Sequence, residues 1–305
     1  RKALRLTISL EKQTYLVDEP IYLEMLTSNI SNHEIGILPP RLGASWGHFE
    51  LVLEDESHKP LEYRGVHATM YAPLDWSGSI MAPGERWLLL HDLLGMYGTW
   101  GDAAHQIRRY LPPGTYKIQA IYHTNPKAFT SKDPRQENEQ TIYSDVLKFH
   151  VIEPTGIERE AYETLLTAFA THEAERQKST HRNILLFKKL INDYPNSVYQ
   201  PIAYSFLHMI YCQLSDSFED RRNLVSEAFA RFPNSGLTYE LLKYERYEDI
   251  NNLAKAPTVT KAMLVKNLKL ASVESRASFY AQCLVDMQRI ELRTAERMKE
   301  SKENR

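Results

Sequence analysis

Over its first half the chain alternates apolar and polar residues in short runs. Leu4–Leu10 and Phe49–Glu54 alternate, and Gly114–Tyr122 carries β-formers on alternate positions. Turn residues punctuate the runs. Ile21–Leu26 follows Asp18-Glu19-Pro20, and Trp87–Leu90 follows Ala82-Pro83-Gly84-Glu85. Gly114–Tyr122 follows Leu111-Pro112-Pro113, and Asp145–Ile152 closes the series. Prolines fall between the runs, where a missing N–H breaks no ladder. The pattern predicts six or seven short strands packed as a β-sandwich.

After Glu153-Pro154-Thr155 the period changes to that of a helix. Ile157, Ala161, Leu165 and Ala168 or Phe169 form one stripe, and Ile184, Phe187 and Ile191 a second. Ile202, Phe206, Met209 and Ile210 form a third, and Leu224, Val225, Ala228, Phe229 and Phe232 a fourth. Leu241, Tyr244, Ile250 and Leu253 continue the pattern, and Tyr280, Leu284 and Met287 end it. Each stripe needs a neighbour to cover it, and short linkers make successive helices antiparallel. The change of period divides the chain into 1–153, a β-sandwich with almost no helical stretch, and 154–293, an α-helical domain. A charged tail, 294–305, frays at the end.

The helical half repeats itself. Asp193-Tyr194-Pro195-Asn196-Ser197 recurs 38 positions on as Arg231-Phe232-Pro233-Asn234-Ser235. An aromatic ends one helix, proline blocks its continuation, and Asn-Ser supplies oxygens to cap the next. One helix pair per roughly 35–40 residues is the mark of an α-solenoid. Tyr194-Pro195-Asn196-Ser197-Val198-Tyr199-Gln200-Pro201-Ile202-Ala203 resembles the inter-repeat turn of the tetratricopeptide-like repeats of exported bacterial proteins. The alternative is a plain irregular helical bundle. In the first half, Asp18-Glu19-Pro20-Ile21-Tyr22, Ser28-Asn29-Ile30-Ser31 and Leu111-Pro112-Pro113-Gly114-Thr115-Tyr116 resemble bacterial immunoglobulin-like sandwiches. Among these are domains similar to intracellular proteinase-inhibitor sandwiches. Asp18 stands where their lead-in carries glycine. Together the resemblances imply a multidomain β + α protein: an N-terminal immunoglobulin-like β-sandwich followed by an all-α helical-hairpin, tetratricopeptide-like domain.

Composition narrows the function. At 305 residues, with 43% hydrophobic and 25% charged residues, the chain is an ordinary globular one of about two domains. Lys plus Arg is 37 and Asp plus Glu 39, so it lacks the basic field of a general nucleic-acid binder. Its apolar runs are too short to span a membrane as a helix. The two cysteines, Cys212 and Cys283, exclude a zinc site built on cysteines alone. Both read as buried small hydrophobes, with a disulfide between them as the alternative. The chain opens on Arg1 and runs almost at once into a strand. It reads as a trimmed chain, from a cloned fragment or from removal of a secretory or lipoprotein signal. The second origin places it in the periplasm or at the cell surface, with a lipid anchor as one variant.

No catalytic signature is present: no G-x-S-x-G, H-E-x-x-H or phosphate-binding glycine loop. The eleven histidines show no metal-ligand spacing, so no metal or other cofactor is expected. His172 and His181 would meet only by accident of folding. Glu54-Asp55-Glu56 follows an alternating strand and reads as solvent-facing, and Gly95–Gly101 as a flexible loop. Thr124–Gln140 reads as a second loop, polar and mobile.

All four tryptophans lie between positions 46 and 100. Trp87 sits in a strand-like run and reads as core. Trp46, Trp76 and Trp100, with Tyr71 and Tyr97, occupy irregular segments. They either cap the core beneath loops or form an aromatic ledge for a ligand. The expected function is a non-catalytic extracytoplasmic binding or scaffold protein with a protein or peptide partner. The alternatives are an inhibitor or carbohydrate-binding module acting through loops 40–105, and a hydrolase with a dispersed site among His67, His91, Asp92 and His105.

Overall fold

A computed structural model describes residues 3–37, 49–61, 79–94, 111–124, 140–174, 180–213, 218–232, 235–237 and 241. The elements among them are strands first and helices afterwards. The strands are β1 (Leu4–Leu10), β2 (Thr14–Leu16), β3 (Tyr22–Asn29), β4 (Ile35–Ile37), β5 (Phe49–Glu54), β6 (Ser79–Met81), β7 (Arg86–Asp92), β8 (Gly114–His123), β9 (Thr141–Tyr143) and β10 (Leu147–Ile152). The helices are α1 (Gly156–Ala174), α2 (Thr180–Asp193), α3 (Gln200–Gln213) and α4 (Phe218–Arg231). By packing the chain divides into two compact units, Arg1–Gln200 and Pro201–Arg305.

In the first unit the strands form two main sheets. One has the order β1-β3-β7, the other β2-β10-β8-β5 with β9 also paired to β8, and β4 pairs with β6 separately. The chain passes from one sheet to the other repeatedly: β1 and β3 lie in the first, while β2, between them, runs parallel to β10 in the second. Alternation decides which side chains meet. Leu4 and Leu6 of β1, Leu23 and Met25 of β3, Phe49, Leu51 and Leu53 of β5, and Tyr116, Ile118, Ala120 and Tyr122 of β8 join one hydrophobic cluster fed by both sheets. Tyr15 meets Phe149 edge-on at 6.1 Å, and Tyr116 stacks on Phe149 at 5.4 Å. Trp87 packs against the cluster while its indole N–H donates to Glu85 at 2.9 Å.

The long strands fall where the strand-like runs predict them. Four three-residue strands, β2, β4, β6 and β9, were not foreseen, because three residues hold too little of a period to read. The helices follow their stripes with two corrections. Ile157 is 66% exposed and Met209 38%, although both continue an apolar stripe. Ile157 lies in the first turn of α1, where the stripe outruns its partner. On α3, Ile202, Ala203, Tyr204, Leu207, Ile210 and Tyr211 are all buried, so the covered face is broader than the stripe and turned away from Met209.

The described residues of the two repeated turns make equivalent backbone hydrogen bonds. Tyr194 N–H donates to Leu190 O, and Phe232 N–H donates to Ala228 O. Ser197 N–H donates to Tyr194 O, and Ser235 N–H to Phe232 O. Each serine oxygen then accepts the amide two residues ahead, Tyr199 at 3.1 Å and Leu237 at 3.2 Å, which is the expected capping role. The first copy adds Gln200, fully buried, whose amide donates to Ile191 O at 2.7 Å and Tyr194 O at 2.9 Å. It thereby satisfies the Ile191 carbonyl in the last turn of α2 and adds a second donor to the Tyr194 carbonyl.

Candidate functional site

In the first unit a largely buried polar cluster gathers three segments distant in sequence. The turn between β2 and β3 supplies Val17, Asp18 and Glu19, all buried. Helix α1 supplies Glu158 and Tyr162, one turn apart on the same face. The connection from α2 to α3 supplies Ser197 and Tyr199. Tyr162 donates to Asp18 Oδ2 at 3.0 Å, and Tyr199 donates to the Val17 carbonyl at 2.8 Å. Ser197 donates to Glu158 Oε2 at 2.8 Å. The Tyr162 and Tyr199 rings stack at 5.3 Å, and Tyr162 also packs on the core of the sheets. Packing therefore runs straight through Pro154, where the periodicity of the sequence changes.

Local chemistry explains the turn. Asp18 has φ of 63°, in the left-handed region that aspartate tolerates better than most side chains. Glu19 Oε2 accepts the Leu16 amide at 3.0 Å, and its other oxygen meets the Lys12 ammonium. Burial pushes the Glu19 carboxyl above its ordinary range, with Lys12 opposing that rise. Burial likewise raises the Tyr199 hydroxyl, so it stays a proton donor to Val17 at any ordinary pH.

In the second unit, Cys212 is a free and exposed thiol, which corrects the expectation that it is buried. It lies in the last turn of α3. His208 Nδ1 and Nε2 stand 3.8 and 3.9 Å from its sulfur, and Arg221 Nη1 donates to it at 3.8 Å. Near-equal distances to both ring nitrogens mean that the sulfur is not in line with either lone pair.

The aromatic residues singled out from the sequence, Trp46, Tyr71, Trp76, Tyr97 and Trp100, lie outside the described residues, as do His67, His105 and Cys283. Gly95–Gly101 and most of the Thr124–Gln140 segment fall outside them too. His91 and Asp92 are adjacent on β7, and Asp92 Oδ1 accepts the Leu94 amide at 3.1 Å. Asp55, between Glu54 and Glu56, closes a turn: its Oδ1 accepts from the Ser57 hydroxyl and the amides of Ser57 and Lys59. The Ser57 hydroxyl bond holds its carboxyl below the ordinary range. Among the described residues no group of three or more His, Cys, Asp or Glu is placed to hold a metal ion. No helix among them is long and apolar enough to cross a membrane.

The buried cluster escaped the sequence reading although its parts were in view. Asp18 was noted for replacing a glycine, and Tyr199 lies within the repeated turn. Their meeting depends on contacts 144 and 182 residues apart. The chain matches no protein-family model and no curated protein.

Proposed function

We propose that the protein is a non-catalytic binding or scaffold protein acting outside the cytoplasm, in the periplasm or at the cell surface, with a protein or peptide partner. The observation that carries this reading is the employment of its buried and half-buried polar groups. Asp18, Glu158, Tyr162, Ser197 and Tyr199 each tie one segment of the chain to another. Such contacts build a rigid support for exposed surfaces, which is what a scaffold needs.

Two local features support an immunoglobulin-like reading of the strand half. The Tyr116 hydroxyl donates to the Pro112 carbonyl at 2.7 Å, four residues upstream at the start of β8. A tyrosine reaching back in this way recurs in immunoglobulin-like sandwiches. The positive φ at Asp18 falls where the similar domains carry glycine. The equivalent hydrogen bonds of the two Pro-Asn-Ser turns support a tetratricopeptide-like reading of the helical half. The extracytoplasmic location rests on that resemblance to exported bacterial proteins.

The test is to screen the intact chain against a peptide library and a glycan array. A Trp46→Ala, Trp76→Ala, Trp100→Ala variant is run beside it. Peptide binding that survives in the variant supports the proposal. Glycan binding that the variant loses replaces it with the carbohydrate-binding alternative. Turnover in a hydrolase panel replaces it with the dispersed-site enzyme.

A further inference from the structure

The outward face of the larger sheet sets two lysines side by side. Strands β8 and β10 pair with Lys117 opposite Lys148 and Thr115 opposite His150. Their chain neighbours Tyr116, Ile118, Phe149 and Val151 are buried in the core, so these four side chains point away from it. Opposed residues in such a ladder stand about 5 Å apart at Cβ, and same-face neighbours along a strand about 7 Å apart. The four therefore mark the corners of a small rectangle. Along one side Thr115 Oγ1 and His150 Nδ1 share a hydrogen bond of 3.0 Å, which fixes the imidazole there.

The lysine side carries a cost. Like charges directly opposed across a ladder repel. Neither ammonium has an ion pair among the described residues. Glu54 stands opposite Lys117 on β5, yet its carboxylate lies 3.6 Å from His58 instead. Lys148 is exposed and Lys117 half-buried, so both reach solvent from one spot.

The geometry points to a phosphate-binding site on this sheet face, with Lys117 and Lys148 clamping the anion and the Thr115–His150 pair closing its rim. A compact tetrahedral oxyanion spans two ammonium groups set this close and removes their repulsion. The phosphate is either the free ion or a phosphomonoester. This goes beyond the proposed function, which names no anionic ligand.

Calorimetric titration with inorganic phosphate, against potassium chloride at equal ionic strength, tests it. The intact chain binds phosphate saturably, in the roughly millimolar range expected of two exposed charges. Lys117→Gln and Lys148→Gln each weaken binding about tenfold. Lys189→Gln, an exposed lysine on α2, leaves it unchanged. Both test variants remove a repulsion, so each melts no lower than the parent. A parallel titration with glucose 6-phosphate and with glucose assigns the source: tighter binding of the ester than of the free ion marks a phosphomonoester. A response no larger than that to chloride, or binding that survives either test substitution, overturns the proposal.

Discussion

Asp18 occupies a backbone angle that glycine adopts freely, and it remains there because its carboxylate receives the Tyr162 hydroxyl. Asp18→Asn keeps both the tolerance of φ and an acceptor, so its stability falls by less than about 1 kcal/mol. Asp18→Ala loses both and costs roughly 2–3 kcal/mol, measured by urea unfolding. Thr27 presents the opposite case. It lies 1% exposed on β3, and its hydroxyl has no hydrogen-bond partner among the described residues. Thr27→Val replaces an unsatisfied oxygen with a methyl group and raises stability by about 1 kcal/mol in the same assay. Glu19 sets a pH dependence. Its folded carboxyl is raised by burial, so the folded state holds a proton more tightly than the unfolded one. Its contribution is full below the ordinary carboxylate range of about 4.3 and is lost as pH rises through the raised folded value. The difference in unfolding free energy between the parent and Glu19→Gln, followed from pH 4 upward, isolates this slope from that of other carboxylates. A parent that gains on Glu19→Gln as pH rises would contradict the sign. Of these three residues, the sequence drew attention only to Asp18. The burial that governs the other two is set by neighbours on other strands.

Among the elements, β5 and β8 are legible because each has one face on the core, so burial keeps the period of the pleat. Strand β3 is less so. It lies between β1 and β7, and Tyr22, Leu23, Glu24 and Met25 are all buried, which erases the alternation. The serine caps of the helical turns are legible, since a serine oxygen acts on its own neighbours. Ser197→Ala and Ser235→Ala each remove a cap worth about 1 kcal/mol. Ser197→Ala costs more, because it also strips Glu158 of its donor. Thermal melts of both variants, with the first showing the larger drop, check the ranking. Equal drops would mean that the Glu158 contact contributes nothing. The copies differ at Gln200, whose amide reaches two carbonyls, where the second copy has Thr238.

At the scale of the first unit, two tyrosines join helices to strands. Tyr162→Phe removes a half-buried hydrogen bond and Tyr199→Phe a buried one, each at a cost of roughly 1 kcal/mol. Because the rings stack at 5.3 Å, the double variant is expected to be non-additive by at least about 0.5 kcal/mol. A strictly additive cycle would show two independent contacts. The sequence by itself determined what is local: the long strands before Pro154, the four named helices after it, the turn residues between them, and a serine cap built twice. These follow from interactions within a few residues, which a linear pattern records. Only the tertiary structure decided that the first helix pair belongs with the sheets, that Asp18 meets Tyr162, and that Lys117 faces Lys148. Those pairings depend on register and docking between segments far apart in the chain, and hydrophobic burial, which drives them, is non-directional and leaves no mark of its partner in the sequence.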